Sequence, residues 1–374
     1  GEKDKICILA ATSGDTGKAA LAGFANVEGT EIIVFYPQKG VSQVQERQMV
    51  SQEGDNTHVI AIRGNFDDAQ TGVKKIFADD EMKKRLAAEG IKLSSANSIN
   101  IGRLVPQVAY YVYSYVKLTE EGALKEGDPM NVVVPTGNFG NILAAYMAKE
   151  MGLPIGKLIC ASNENNVLTD FIRTGVYDAR RQFYLTSSPS MDILISSNLE
   201  RLLYLLSGRD GKAVSDWMKA LEVDKVYEVS EKVREGLADF YGGFCTEREA
   251  REAIAALWNE EEYLVDTHTA VAYKVYRDYL EETGDETPAV IASTASAYKF
   301  AESVADACGL DVGKVKVLAN SEAEPTGFDY VKALEKATGV RVPSGLRDLE
   351  DKPVLHDRVC AKDEMSEVVI GVLE

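Results

Sequence analysis

The chain has 374 residues, 45% of them hydrophobic, enough to bury one large core, and its length favours two packed domains. A formal net charge of -18 with no offsetting basic run argues against binding nucleic-acid phosphates or anionic membranes, which leaves small-molecule work as the default. The five cysteines, Cys7, Cys160, Cys245, Cys308 and Cys360, are scattered without disulfide or zinc spacing, and no apolar stretch is long enough to span a bilayer, so reduced thiols and a cytoplasmic location are expected.

In chain order, short β-branched runs predict strands at Lys5 to Ala11, Glu31 to Tyr36, Thr57 to Ile62, Asn131 to Pro135, Lys157 to Ala161, Ala289 to Ala292 and Val315 to Leu318. Most are apolar throughout, as strands buried on both faces are. Between them, helical periodicity predicts helices at Thr16 to Asn26, Ser42 to Glu53, Asp67 to Ala88, Arg103 to Val116, Asn141 to Met151 and Ala295 to Ala307. Alternating strands and helices predict an α/β architecture with mostly parallel sheets. The acidic interval from about Leu194 to Leu280 lacks clear strands and reads as a helical insertion.

Four polar loops stand out. Thr12-Ser13-Gly14-Asp15-Thr16-Gly17-Lys18 leads into an alanine-rich helix, where unpaired amides and the helix dipole favour a carboxylate or phosphate. Ser95-Ala96-Asn97-Ser98-Ile99-Asn100 precedes Gly102-Arg103, and Arg103 near a helix start reads either as half of a surface ion pair or as the partner of a bound anion. Thr136-Gly137-Asn138-Phe139-Gly140-Asn141 could cradle a phosphate or merely cap the next helix. Ser293-Thr294-Ala295-Ser296 is explained by helix capping alone. In open α/β sheets ligands gather at the carboxyl ends of strands, so such loops can share a pocket. A Walker A loop is excluded, because Thr12 stands where its first glycine should be and Ala19 where its Ser or Thr should be. His58, His268 and His356 have no metal-ligand or triad spacing, and His268 after Asp266-Thr267 could line a pocket or sit beneath a helix cap.

Together, ATSGDTGKAAL, SANSINIGRL, VVVPTGNFGN and ASTASAYKF, in this order, resemble threonine synthase, a pyridoxal 5'-phosphate (PLP) enzyme of the tryptophan-synthase-β-like fold, fold type II. The resemblance implies two open, mostly parallel sheets flanked by helices. It implies a smaller α/β domain over residues 1–102 and a larger one over 103–374 that includes the helical insertion at about 194–280. It also implies a lyase reaction in threonine biosynthesis, in which O-phospho-L-homoserine and water become L-threonine and phosphate. By position, Gly137, Asn138, Phe139, Gly140 and Asn141 would hold the cofactor phosphate. Thr294 would face the pyridine nitrogen, and Asp15 would face the cofactor's phenolic edge. Thr12, Ser13, Gly14 and Thr16 would take the substrate carboxylate, and Asn97, Ser98, Asn100 and Arg103 the substrate phosphate. No metal is implied, and the oligomeric state is open.

The resemblance also demands a Schiff-base lysine in a Phe-Lys-Asp-type segment a few tens of residues before the first loop. Lys3 and Lys5 are too close to that loop and Lys18 lies inside it, so no catalytic residue is assigned in this chain. The lysine is expected upstream of Gly1, and the printed chain alone is expected to be inactive. Two rivals stand beside threonine synthase. One is another lyase or dehydratase of the same fold, which would release a keto acid. The other is a non-catalytic module that binds the cofactor or an anion.

Overall fold

The computed structural model describes residues 4–373 and resolves two compact units. Of these residues, the first comprises 4–100, 298–305 and 310–373, and the second Ile101–Ala297 with Asp306–Gly309. The strands are β1 (Lys5–Ala11), β2 (Thr30–Pro37), β3 (Thr57–Arg63), β4 (Ile91–Ser95), β5 (Met130–Pro135), β6 (Ile155–Ser162), β7 (Val176–Asp178), β8 (Val226–Glu228), β9 (Phe240–Phe244), β10 (Ala289–Ile291) and β11 (Val359–Ala361).

In the first unit the sheet runs β11-β3-β2-β1-β4, every pair parallel. The uninterrupted apolar runs have a simple cause. Side chains alternate across a strand, and here both faces are covered. Cys7, Leu9, Ile33, Phe35, Ile60 and Ile62 pack one way, against Val73 and Ile76 of the helix Phe66–Ala78 and Val369 of the helix Met365–Leu373. Ile8, Ala10, Ile32, Val34 and Val59 pack the other way, against Leu21 of the helix Asp15–Phe24 and Met49 of the helix Gln43–Val50. Asp79 interrupts the single helix expected over Asp67 to Ala88 by capping a second one, Asp80–Ala88, with hydrogen bonds from the Glu81 and Met82 amides.

The second unit has a four-stranded parallel sheet, β10-β5-β6-β9, and a small antiparallel pair, β7-β8. Its sheet is also covered on both faces. Val132, Val134, Leu158 and Cys160 pack against the helix Gly140–Glu150, while Val133, Ile159 and Ala161 face Val271 and Val275 of the helix Thr267–Thr283.

Three expectations are corrected. Val315 to Leu318 is not a strand but part of the helix Val312–Ala319, which starts at Asp311, whose side chain accepts the Lys314 amide, and ends at Asn320 in the left-handed conformation. These caps outweigh the β-branched run, and Val317 is left 80% exposed, which no buried strand would tolerate. The interval from Leu194 to Leu280 is not wholly helical, because β9 lies within it as an edge of the main sheet. Its sequence, FYGGF, hides that role, since its glycines let the strand pass close to the Thr169 backbone and the Val275 side chain. Finally, the tail beyond residue 310 belongs to the first unit, where β11 pairs with β3, and not with the larger second domain.

The five cysteines are free, with Cys7, Cys160, Cys245 and Cys360 buried. Among the described residues no helix is long and apolar enough to cross a membrane.

Candidate active site

In the first unit, β1 ends in the loop Thr12 to Thr16. The Thr12 hydroxyl accepts the amides of Gly14 at 2.9 Å and Gly17 at 2.8 Å, folding the loop onto the first turn of the helix Asp15–Phe24. Gly14 sits at φ 127°, and a Cβ there would lie 2.5 Å from the Gln45 amide carbon, so a side chain is excluded by both backbone and space. Asp15 is drawn away from solvent by two donors, Gln45 Nε2 at 3.2 Å and Lys299 Nζ at 2.7 Å. The Gln45 carbonyl accepts the Ser42 amide, and the Ser42 hydroxyl donates to the Lys299 carbonyl at 2.7 Å, which closes a ring of four residues around the loop.

Lys18, one turn on, donates to Gln52. Burial and then the positive charges of Lys352 and Lys299 push its ammonium below the ordinary lysine range. Lys18 and Lys299 thus both lie at this loop in a chain of net charge -18. Of the lysines weighed from sequence, Lys5 pairs with Glu31 at 2.7 Å, and Lys3 lies outside the described residues.

β4 neighbours β1, so the Ser95 to Asn100 loop emerges beside Thr12 to Thr16. Asn97 joins the two, accepting the Ala11 amide at 2.9 Å and donating to the Ala11 carbonyl at 2.7 Å. Both ends of its amide are therefore spent on backbone. Asn100 donates to the Ser95 carbonyl, Ser98 is half-buried, and Ser13 is buried. Arg103 lies in the second unit, exposed on the short helix Ile101–Leu104.

In the second unit, β5 leads into Gly137 to Asn141. The helix Gly140–Glu150 begins without a side-chain cap, because the preceding residue is Phe139, in the left-handed region at φ 61°. That backbone is costly for a bulky residue. It is held there by burial of the ring, 1% exposed, 5.9 Å from Phe240. The loop's carbonyls are tied back. Ser196 Oγ donates to the Gly137 carbonyl at 2.8 Å, and the Asn198 amide and side chain donate to the Asn138 carbonyl. Ser197 Oγ donates to Asn138 Oδ1 at 3.1 Å, and Tyr111 donates to Asn141 Oδ1. With carbonyls engaged behind and helix amides uncapped in front, the loop presents donors and a positive dipole end, which suits a phosphate dianion. Gly137 is required by space, because a Cβ there would lie 2.5 Å from the Ser190 carbonyl oxygen.

β10 pairs with β5, so the loop holding Thr294 leaves the sheet next to that cradle, with Thr294 exposed and Ser293 Oγ 3.3 Å from Thr269 Oγ1. Asp266 caps the helix Thr267–Thr283 as anticipated, accepting the His268 amide at 2.9 Å. Gln45, Lys299, Tyr111 and the Ser196 to Asn198 segment were not singled out from sequence. Only Gln45 carried a signal, as the fourth residue of a Ser-x-x-Gln capping box.

Parallel sheets with an uncapped glycine loop at a strand's carboxyl end define the class by structure, an α/β protein with a phosphate-binding loop. The family model described as pyridoxal-phosphate dependent enzyme matches residues 1–295, and that described as threonine synthase, C-terminal, matches residues 269–333. The chain belongs to the threonine synthase family, whose cofactor is pyridoxal 5'-phosphate. It is 36% identical to a PLP-bound threonine synthase from Brucella melitensis, with a TM-score of 0.80 over 99% of this chain and 71% of that one. The solved yeast threonine synthase is 32% identical, again with a TM-score of 0.80, over 100% and 70%. Among curated proteins, human threonine synthase-like 1 is 45% identical over 95% of this chain and 48% of its own, and the Saccharomyces cerevisiae threonine synthase 37% over 82% and 61%. The chain spans about half the length of the threonine synthase-like 1 proteins it matches.

Proposed function

We propose that the protein containing this chain is a threonine synthase, a lyase converting O-phospho-L-homoserine and water into L-threonine and phosphate in threonine biosynthesis. The observation that carries the reading is the phosphate-shaped loop Gly137 to Asn141, in a chain that matches a solved threonine synthase along 99% of its length. Free, mostly buried cysteines fit a reducing, cytoplasmic compartment.

PLP bound here would supply an electron sink for carbanionic chemistry. The rest falls to the chain. The amides of Gly137 to Asn141 hold the cofactor phosphate by hydrogen bonds and the helix dipole. Thr294 offers the pyridine nitrogen a neutral hydroxyl, which cannot hold that nitrogen protonated as a carboxylate would. Thr12, Ser13, Gly14 and Thr16 bind the substrate carboxylate through amides and hydroxyls, and Asp15, held by Lys299 and Gln45, steadies that loop beside the cofactor. Ser98, Asn100 and Arg103 bind the leaving phosphate, Arg103 by two parallel hydrogen bonds. Asn97 contributes by fixing the loop that carries Ser98 and Asn100.

A second reading, a phospho-lyase of the same fold releasing 2-oxobutanoate and phosphate, would use the same loop Gly137 to Asn141 for its cofactor. Amino-acid and keto-acid analysis separates them, using the protein at its natural full length with PLP and O-phospho-L-homoserine. Threonine appearing in step with phosphate supports the synthase, and 2-oxobutanoate in step with phosphate supports the lyase. No phosphate release overturns both.

A further inference from the structure

Behind the phosphate loop lies a buried histidine that the proposed reaction does not use. His268 is 2% exposed and Asp266 1%. Asp266 Oδ1 stands 3.0 Å from His268 Nδ1, and Asp266 also takes the His268 amide and the Thr269 hydroxyl. Burial works against a charge on Asp266, yet the His268 and Thr269 hydrogen bonds hold its carboxyl below the ordinary range. A carboxylate only accepts, so Nδ1 carries the imidazole proton. On the far side of the ring, His268 Nε2 is 3.3 Å from the backbone nitrogen of Ser190, which only donates. The two partners together fix the neutral Nδ1–H tautomer, with Nε2 as acceptor.

Ser190 is the residue whose carbonyl oxygen lies 2.5 Å from where a Gly137 Cβ would stand. It belongs to the single turn Pro189–Met191, inside an irregular stretch joining β7 to the helix Leu199–Leu206. Elsewhere that stretch is pinned to buried side chains. Asp192 accepts from Thr186, Asn163 and Asn165, and Ser196 and Asn198 donate to the Gly137 and Asn138 carbonyls. The Ser190 backbone thus faces the histidine through its N–H and the phosphate loop through its carbonyl.

We propose that His268, set in its tautomer by Asp266, is a positioning residue for the cofactor-phosphate loop: Nε2 fixes the Ser190 peptide, and the Ser190 carbonyl buttresses Gly137. The inference rests on reading Gly137 to Asn141 as the phosphate cradle.

The test compares dissociation constants for PLP and for pyridoxal, which lacks the phosphate, alongside the phosphorus resonance of bound PLP, in the protein at its natural full length. His268→Asn keeps a donor towards Asp266 but cannot reach Ser190. His268→Gln places a carbonyl oxygen near the Nε2 position and so keeps the acceptor. His268→Asn is expected to weaken PLP by about fivefold to tenfold, the worth of one hydrogen bond, to shift and broaden the phosphorus resonance, and to leave pyridoxal unchanged. His268→Gln is expected to stay within about twofold of the unmodified protein for both ligands. Equal losses in the two variants, equal losses for the two ligands, or full PLP affinity in His268→Asn each overturn the proposal. Should His268→Asn fail to fold, His268→Gln decides alone, retention supporting the proposal and loss overturning it. Gly137→Ala separates the two readings. If it leaves the PLP-to-pyridoxal ratio unchanged, the cradle reading itself fails. If it alters the ratio while His268→Asn does not, only the role of His268 fails.

Discussion

Asn97 is the residue for which sequence pattern and geometry suggest different duties, and replacing it separates them. Its amide makes two hydrogen bonds to Ala11, at 2.9 and 2.7 Å, and Ala11 is 1% exposed. Asn97→Ala removes both bonds and leaves the Ala11 amide and carbonyl without those partners. Each bond is worth about 1 kcal/mol net, and each orphaned buried group costs about 1–3 kcal/mol unless water reaches it. Because Asn97 is itself half-buried, water entry is feasible and the low end applies, a loss of about 2–3 kcal/mol from the first unit. Asn97→Asp keeps the acceptor for the Ala11 amide but, once ionised, turns a carboxylate oxygen on the Ala11 carbonyl. At neutral pH it should be no more stable than the alanine variant. Protonation restores the donor, so the folded pKa of the new aspartate is raised. The extra cost is present above that folded pKa and is relieved as pH falls through it. Both tryptophans, Trp217 and Trp258, lie in the second unit, so fluorescence is the wrong probe. Amide exchange along β1 and β4, measured at pH 7 and pH 5, reads the first unit directly. A change below about 0.5 kcal/mol for Asn97→Ala, or an aspartate variant more stable than the alanine one at pH 7, refutes the clamp.

Phe139→Ala should cost about 3 kcal/mol, the low end for a buried aromatic, since the αL backbone persists; urea unfolding followed by tryptophan fluorescence checks it. Hydrogen bonds from Thr287 and Tyr279, with Asn131 adding to them, hold the Asp285 carboxyl well below the ordinary carboxylate range. Its contribution is therefore present above the unfolded-state value of about 4 and lost as pH falls towards the folded one, and Asp285→Asn should flatten acid unfolding curves in that window. Lys299→Met leaves Asp15 with Gln45 alone. This partly exposed pair should contribute under about 1 kcal/mol to stability, whereas KM for O-phospho-L-homoserine should rise severalfold as the loop loosens; an unchanged KM counts against a role in substrate binding. Arg103→Ala should weaken the phosphorylated substrate by at least about tenfold, the scale of a charge-assisted bidentate contact, and unaltered affinity removes Arg103 from the phosphate site.

The sequence determined everything that depends on local pattern. Unbroken, β-branched apolar runs such as Ile32 to Phe35 and Val132 to Val134 read as strands covered on both faces. Glycine and hydroxyl residues at strand ends mark where backbone amides are left for a ligand, and this made the loops at Thr12, Asn97, Gly137 and Thr294 visible before any fold was known. Tertiary structure decided whatever depends on residues far apart in the chain. β9 and β11 exist as strands because a sheet edge accepts them, and FYGGF and VCA carry too little pattern to announce it. Asn97 binds backbone because β4 lies beside β1, and Lys299 reaches Asp15 across 284 residues of sequence. The acceptor side of His268 meets a peptide 78 residues away, while its donor side meets the neighbouring Asp266. Hydrogen bonds between distant segments leave no periodicity in the sequence, so the partners of a site residue emerge only when the chain has folded.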